Sequence, residues 1–394
     1  MAELVWRGKQ SNLTNRHSSD DITQQTPLPP PDYRFTTRKI YPLHEQAEPL
    51  PSFTNTWTNR LIWGDKTGVL SALLAEFTAS IHLIYIDPPF MTGRTFNTKV
   101  DNQVRTPGSE ARALASEIGT PDSEAIMVSD TLPTPEAKRG KNAAQIAYSD
   151  TWNNDLDSYL QWLYETLIVL HTLLADTGSL YIHLDWRTAH YARILLDEIF
   201  GTNSHGDGPG FKNEIIWHYQ SGGRAQHYYA RKHDTILLYT KSAQYCFHGE
   251  RVGIRRGTQK RNHMRKEIGA DGKISWTIRS GGRVYTYNED TPMSLADVWS
   301  DISHLHQKDP ERTGYATQKP EALLERIILA SSEEHDLVLD CFCGSGVTPA
   351  VAERLGRRWI ACDKSEVAIT KTIQRLLTQR RYRPFVLEYI EKAE

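Results

Sequence analysis

The chain has 394 residues, of which 39% are hydrophobic and 24% charged, and its formal net charge is −2. No apolar run approaches the roughly 20 residues that a membrane span requires, and the first residues lack a signal-peptide pattern. Four cysteines without paired spacing exclude a disulfide framework and a typical zinc site. We therefore expect a cytoplasmic protein without a metal, in which any nucleic-acid contact comes from a local basic surface.

The N-terminal part divides into an arm and the start of an α/β region. Residues 1–45 are polar and carry several prolines, which predicts a flexible arm. Residues 60–65 predict a short strand with a turn, and residues 69–77 a helix. The apolar run Leu83–Ile86 then predicts a buried strand.

This strand runs directly into Asp87, Pro88, Pro89 and Phe90. Because prolines cannot extend a sheet ladder, the chain must leave the sheet at Asp87 as a stiff loop. Such a loop holds a carboxylate, backbone carbonyls and a ring face in fixed positions, which suits the binding of a planar amine. On their own, these four residues are equally typical of a turn that ends a strand.

The middle of the chain alternates between helices and strands. Residues 98–150 are rich in small, polar and acidic residues and predict a surface insertion that is disordered without its partner. Leucines from 156 to 174 recur at spacings of four and three, which predicts an amphipathic helix ended by Gly178. Further predicted elements are strands at 180–184, 214–217 and 236–239 and a helix at 187–200 closed by Gly201. This alternation favours a mostly parallel sheet with helices on both faces.

Apolar periodicity weakens between about 219 and 312, and a basic cluster appears. Residues 251–270 contain one acid, Glu267, and seven basic residues: Arg251, Arg255, Arg256, Lys260, Arg261, Arg265 and Lys266. A solvated surface is one interpretation of such a cluster, and a phosphate-binding surface is the other.

The last α/β stretch contains a glycine loop. It comprises helices at 321–331, 347–355 and 365–380 and strands at 336–342 and 358–362. The strand ending at Asp340 leads into Phe342, Gly344 and Gly346, which predicts a close approach of backbone to a ligand at a helix N-terminus. Pro349 stands where a dinucleotide fingerprint has its third glycine.

The acids around this loop indicate the kind of ligand. Asp363 ends the following strand, where a carboxylate suits the hydroxyls of a ribose. Asp340 is placed to bind an ammonium group. A ligand with a nucleoside and an amino acid but no pyrophosphate fits this pattern, and S-adenosylmethionine is such a ligand. If the strands before Asp87 and Asp340 are neighbours, the two loops face each other, one with the methyl donor and the other with an acceptor amine.

The sequence resembles the β class of amino-group DNA methyltransferases, in which the catalytic motif precedes the cofactor motif. Modification subunits of type III restriction systems are relatives. The matching segments are Ile84–Phe90, Gly178–Asp185, Asn213–Trp217, Thr317–Pro320 and Phe342–Gly346. Ala316, Val347 and Phe90 depart from the residues that the family has most often at these positions.

The resemblance implies an α/β fold with a doubly wound, mostly parallel Rossmann-like sheet in circularly permuted motif order and an inserted target-recognition region. The implied domain comprises residues 46–97, 151–242 and 312–383, with a target-recognition region at 243–311 and a C-terminal tail at 384–394. The basic cluster falls in that region, where its seven side chains are implied to bind phosphates and read guanine edges.

The resemblance also implies the residues of the active site. The catalytic set is Asp87, Pro88, Pro89 and Phe90. The cofactor-binding set is Asp65, Thr317, Gln318, Lys319, Pro320, Asp340, Phe342, Gly344, Ser345, Gly346 and Asp363.

The implied reaction is methyl transfer from S-adenosylmethionine to the N6 of a flipped-out adenine in duplex DNA. Cytosine-N4 methylation is the alternative within the family. An RNA or protein amine methyltransferase and a non-catalytic DNA-specificity subunit are alternatives of other classes. The partners to expect are double-stranded DNA, a restriction endonuclease subunit and a second copy of the chain, in the prokaryotic cytoplasm at the nucleoid.

Overall fold

The structure is a computed structural model. It describes residues 4–7, 9, 33–42, 57–99, 144–152, 155–203, 206–220, 225–255, 264–269, 271–379 and 381–392. The helices are α1 (Lys66–Phe77), α2 (Leu156–Leu173), α3 (Ala189–Phe200), α4 (Gly249–Val252), α5 (Glu321–Ser331), α6 (Val347–Arg354) and α7 (Glu366–Leu377). None of the helices in this described part of the chain is long and apolar enough to cross a membrane.

The strands form one large sheet and three small ones. In chain order they are β1 (Tyr33–Tyr41), β2 (Asn59–Trp63), β3 (Ile81–Ile86), β4 (Arg94–Lys99), β5 (Ala144–Asp150), β6 (Leu174–Leu184), β7 (Gly210–His218), β8 (His233–Thr240), β9 (Ile254–Arg255), β10 (Arg265–Ile268), β11 (Ile274–Ser280), β12 (Arg283–Asn288), β13 (Pro292–Met293), β14 (Val298–Trp299), β15 (Leu337–Asp340), β16 (Arg358–Asp363) and β17 (Phe385–Lys392). The large sheet has the order β1-β17-β2-β16-β15-β3-β6-β8-β7-β14.

The large sheet is mostly parallel, as predicted. From β17 to β6 each strand is parallel to its neighbour, while β8 runs antiparallel to both β6 and β7. Helices α1, α2 and α3 pack on one face, and α5, α6 and α7 pack on the other. This is the doubly wound arrangement, and the strand before Asp87 precedes the strand before the glycine loop in the chain, which confirms the permuted order.

The helices cover each face of the large sheet with their apolar sides. In α2 the leucines at 160, 163, 167, 170 and 173 are all buried, and Asp155 caps the N-terminus by accepting from the Asp157 N–H. Helix α3 ends at Gly201 as predicted, with a left-handed φ of 95° that glycine tolerates.

The predicted role of Gly178 is wrong. Helix α2 already ends at Leu173, and the chain enters β6 at once. Leu174 pairs with Ile81 and Ser179 with Leu83, so the residues between them bulge out of the ladder. A Cβ on Gly178 would lie 2.7 Å from the Leu174 side chain, which explains the need for glycine in this bulge.

Both ends of the chain contribute strands where a flexible arm and a tail were predicted. Strand β1 pairs antiparallel with β17 from Tyr33 opposite Lys392 to Tyr41 opposite Phe385, and β17 is parallel to β2. The ring of Tyr41 stacks on that of Phe385 at 4.5 Å. The boundaries at 45 and 384 are therefore wrong, because these segments extend the sheet rather than leave it. Within the predicted arm, residues 1–3, 8, 10–32 and 43–45 lie outside the described residues.

Candidate active site

The two predicted loops meet at one edge of the sheet. Strands β3 and β15 are parallel neighbours, with Val338 opposite Leu83 and Leu339 opposite Ile84. A pocket forms where both strands end, between the loop that starts at Asp87 and the loop that starts at Cys341. Of the residues predicted from the sequence, it is lined by Asp65, Asp87, Pro88, Pro89, Phe90, Thr317, Gln318, Lys319, Asp340, Phe342, Gly344, Ser345 and Asp363.

Two residues of the cofactor-binding set stand behind the pocket instead of lining it. Pro320 is the N-cap of α5, and Gly346 is the N-cap of α6. Gln318 lines the pocket, but its amide is committed to the backbone: its oxygen accepts from the Thr313 N–H at 2.9 Å and its nitrogen donates to the Glu311 carbonyl at 2.8 Å. Pro320, Gly346 and Gln318 therefore shape the wall of the pocket.

The carboxylate of Asp87 has one oxygen engaged and one without a partner. Its Oδ2 accepts from the ammonium group of Lys319, which also lies 5.2 Å from the centre of the Phe90 ring. Its Oδ1 is buried and has no hydrogen-bond partner among the described residues. A buried acceptor without a donor is costly, so this atom marks a place for a donor from a ligand. Lys319 thus binds the Asp87 carboxylate, whereas the resemblance implied a role for it toward the cofactor.

The loop after Asp87 is fixed by residues that the sequence analysis assigned to a disordered insertion. Strand β5 pairs antiparallel with β4 and ends at the buried Asp150. The Asp150 carboxylate accepts from the backbone N–H groups of Met91 and Thr92 at 2.9 and 2.8 Å. The Tyr159 hydroxyl donates to the Pro89 carbonyl at 3.0 Å. The insertion boundaries at 98 and 150 thus cut through a hairpin that belongs to the active site, and residues 100–143 lie outside the described part.

The glycine loop is held in shape by the acid at the end of β16. Gly344 has a φ of 51°, and its N–H donates to Asp363 Oδ2 at 3.0 Å. Asp363 Oδ1 accepts from the Ser365 N–H at 2.8 Å. A carboxylate offers about four lone-pair sites, so Asp363 keeps capacity for ligand hydroxyls.

Asp340 is buried and already hydrogen-bonded on both oxygens. It accepts from the Phe342 N–H at 2.9 Å and from the Thr348 hydroxyl. Burial raises its pKa to about 7, against the lowering effect of these two hydrogen bonds. Asp340 thus orients the glycine loop in addition to its predicted role toward a ligand ammonium group.

The raised pKa of Asp340 predicts a pH-dependent stability. The folded protein keeps a proton that the unfolded chain loses near pH 4, so folding is favoured at low pH and this contribution disappears as pH rises through 7. Through this group alone, the free energy of unfolding falls by up to about 4 kcal/mol between pH 4 and 7. Urea denaturation of the cofactor-free protein measures it, and Asp340→Asn is expected to lack this part of the slope. Equal slopes in both proteins would contradict the assignment.

The pocket also contains residues that the sequence analysis did not select. Among them are Lys66, Tyr148, Ser149, Trp152, Trp162 and Tyr315. Lys66 is buried against the Thr166 hydroxyl and the Trp162 ring, and burial lowers its pKa to about 8. The only signal in the sequence is adjacency, since Lys66 follows Asp65 and Tyr315 precedes Thr317. The tryptophans come from the chain that enters α2 and from α2 itself.

Three of the seven side chains of the predicted basic cluster lie in the described part of the chain. Arg251 in α4 pairs with Glu333 at 2.9 Å, next to the end of α5 and at the sheet edge opposite to Asp87. Arg265 and Lys266 lie in the exposed strand β10, and Trp276 in the neighbouring strand β11 is buried. Arg256, Lys260 and Arg261 lie outside the described residues, as does the side chain of Arg255.

Comparison with known proteins gives the family. The model of the N6 and N4 DNA methylase family matches residues 81–374, and the chain belongs to this family. It is therefore a DNA methyltransferase that uses S-adenosylmethionine, as the resemblance implied.

Several curated relatives carry methyltransferase names. The chain is 29% identical over 336 residues to the DNA adenine methyltransferase YhdJ of Escherichia coli, covering 85% of this chain and 88% of that protein. It is 25% identical to the type II methyltransferase M.EcaI of Enterobacter cloacae, covering 82% of this chain and 70% of that protein. Among solved structures, the cytosine-N4-specific PvuII DNA methyltransferase aligns with a TM-score of 0.46 and 16% identity, over 82% of this chain and 88% of that one.

The pocket fits the methyl donor by its own features. Gly344 lines the pocket with a φ of 51°, and a Cβ there would lie 3.1 Å from the Tyr315 ring, so the loop brings bare backbone to the cavity. Carboxylates of Asp65 and Asp363 line the same cavity as the rings of Phe342 and Tyr315. Acceptors for hydroxyl and ammonium groups beside ring faces match a nucleoside that carries an amino acid.

Proposed function

We propose that this protein methylates the N6 of adenine at a specific site in duplex DNA, with the target base flipped out of the helix. The observation that carries the proposal is the buried Oδ1 of Asp87, which has no partner among the described residues and lies at the mouth of a pocket suited to S-adenosylmethionine. An exocyclic amine is a donor that this atom requires. Within the family, Asp at this position favours adenine over cytosine.

The proposed roles at the reacting amine rest on the family resemblance and on the buried, unpartnered Oδ1 of Asp87. Bound S-adenosylmethionine supplies an electrophilic methyl group on a sulfonium. Asp87 Oδ1 and the Pro88 carbonyl accept the two N–H bonds of the amine, which directs the nitrogen lone pair toward the methyl carbon. Asp87 Oδ1 is also placed to receive the proton that the methylated amine loses.

Phe90 and Lys319 keep the arrangement in place. The Phe90 ring provides the face on which the base stacks, and it is itself stacked on the buried His183 with a centroid distance of 6.2 Å. Lys319 holds Asp87 Oδ2, so the carboxylate presents Oδ1 in a single orientation. Asp150 and Tyr159 fix the loop backbone before any ligand arrives, so little reorganisation is required in the reaction.

The remaining proposals concern partners and location. Relatives named type II methyltransferases support a restriction-modification system with an endonuclease partner. The four cysteines are free, which suits a reducing cytoplasm and a protein that acts on nucleoid DNA. A homodimer is a further prediction, which light scattering of the purified protein tests.

Expression in a host without DNA methylation tests the proposed function. Single-molecule sequencing of that host's DNA is expected to show N6-methyladenine at one recurring sequence, because one recognition surface reads one site. If the DNA contained N4-methylcytosine and no N6-methyladenine, the target base would be cytosine and the adenine assignment would be wrong. Unmodified DNA with a folded, cofactor-binding protein would contradict the function.

A further inference from the structure

An exposed group of aromatic residues and arginine lies beside the catalytic loop. It consists of Trp186, Tyr228, Tyr229 and Arg231, and we call it the aromatic–arginine surface. The exposed fractions of the three rings are 42%, 62% and 98% in that order. Scattered exposed rings are normal on a protein surface, but here two exposed rings contact one cation and a third, Tyr229, follows directly in the chain, which suggests a binding surface.

The strand order places this surface at the active-site edge. Strand β6 is parallel to β3, with Ile182 opposite Ile86, so β6 ends next to the loop that begins at Asp87. Trp186 follows the end of β6. Strand β8 runs antiparallel to β6, with Thr235 opposite Leu184, so the chain from Tyr228 to Arg231 approaches the same edge before β8 begins.

A chain of buried contacts connects the surface to the ring that would hold the target base. The Phe90 ring stacks on His183, whose Nε2 lies 3.1 Å from Asp234 Oδ2. Asp234 accepts from the Tyr219 hydroxyl at 2.9 Å on its other oxygen. Arg231 stands three residues before Asp234, so the surface adjoins this set of contacts along the chain.

The turn that carries Trp186 is also fixed. Asp185 accepts from the Arg187 N–H at 2.8 Å and pairs with the Arg187 guanidinium. Trp186 therefore stands at the apex of a braced turn with its indole toward solvent.

Arg231 has the features of a nucleic-acid contact. Its guanidinium carbon lies 3.8 Å from the centre of the Trp186 ring and 4.8 Å from that of Tyr228. Among the described residues no carboxylate pairs with it, and it is exposed. A guanidinium that packs against aromatic rings without a carboxylate partner keeps N–H groups available for phosphate oxygens. Exposed rings beside it offer faces on which unstacked bases can lie.

We infer that the aromatic–arginine surface binds the DNA strand that flanks the flipped target base, with Arg231 on a phosphate and Tyr229 stacked on a base. This inference rests on the proposed function and adds a DNA contact separate from the basic cluster at 251–266. Two observations favour DNA over another protein as the ligand of this surface. The Arg231 charge has no carboxylate partner among the described residues, and the surface adjoins the loop proposed to bind the base.

Binding measurements with the full-length protein test the inference. Arg231→Ala and Tyr229→Ala are titrated into fluorescein-labelled 30-base-pair duplexes that contain the methylated sequence identified by sequencing, with S-adenosylhomocysteine present. Each variant is expected to raise the dissociation constant for DNA about tenfold. Arg231→Ala is also expected to lower the slope of log affinity against log salt by about 1.

Matched controls come from the other parts of the molecule. Arg34→Ala removes an exposed arginine of the edge strand β1, and Phe247→Ala removes a half-exposed ring near the opposite end of β8. Both are expected to bind DNA as the wild type does. Unchanged DNA affinity of Arg231→Ala and Tyr229→Ala, while wild type binds and methylates DNA, would overturn this inference alone. Failure of the wild type to methylate DNA would overturn the proposed function instead.

Discussion

Replacement of Asp87 by alanine is expected to slow methyl transfer to duplex DNA by about 10³-fold or more, with S-adenosylmethionine affinity within about threefold of wild type. The variant loses the only side-chain acceptor proposed for the target amine and the proton acceptor at the same atom. It also leaves the Lys319 ammonium without its carboxylate, in a site where that side chain is largely buried. Single-turnover rates with saturating cofactor measure the chemical step directly.

Two further variants separate the roles of the Asp87 side chain. Asp87→Asn keeps an acceptor oxygen but removes the charge and the pair with Lys319, so a loss of about 10²-fold is expected. Asp176→Ala removes an exposed carboxylate where β6 begins, at the opposite edge of the sheet, and should transfer methyl groups at the wild-type rate. If Asp87→Ala also retained the wild-type rate, Asp87 would not be the catalytic carboxylate.

Replacement of Gly346 by alanine is expected to have the largest effect on the cofactor pocket. A φ of 74° costs an alanine about 1 to 2 kcal/mol. The new Cβ would also lie 2.8 Å from the Thr372 Cα, which is backbone of α7 and cannot rotate away. Overpacking of this kind adds about 1 to 3 kcal/mol. The free energy of unfolding should fall by roughly 3 kcal/mol. The affinity for the cofactor should fall at least tenfold, because Gly344 and Ser345 in the same loop would shift.

A second glycine isolates the steric part of this effect. Gly282, in the turn between β11 and β12, has a φ of 77° with no neighbour within 4 Å of an added Cβ among the described residues. Gly282→Ala should therefore show only the backbone cost of about 1 kcal/mol and normal cofactor binding. Urea denaturation and calorimetric titration of both variants provide the measurements. Equal losses in the two variants would show that the contact with Thr372 does not matter.

The sequence predicted best those elements in which the apolar pattern ends at a residue that interrupts secondary structure, such as proline. The strand before Asp87 ends where two prolines interrupt it, and helix α5 begins directly after Pro320. The sequence predicted that the two loops face each other only if the strands before them are neighbours, and the structure supplies that condition by pairing β3 with β15.

Other features depend on contacts between residues far apart in the chain. Lys319 and Asp87 are separated by 232 positions, and no local pattern pairs them. The anchoring of Met91 and Thr92 by Asp150 depends on a hairpin that spans the insertion. Strands β1 and β17 pair with each other although they lie near opposite ends of the sequence, so each segment alone has the pattern of a polar terminus. Arg251 looked like part of a basic run, yet the fold turns it toward Glu333.

Transfer of a trideuterated methyl group from labelled S-adenosylmethionine to unmethylated duplex DNA tests the central claim most directly. After digestion to nucleosides, mass spectrometry is expected to find the label in N6-methyldeoxyadenosine with the wild type and to find none with Asp87→Ala. Label only in N4-methyldeoxycytidine, or equal labelling by Asp87→Ala, would contradict an adenine-specific reaction that depends on the Asp87 carboxylate.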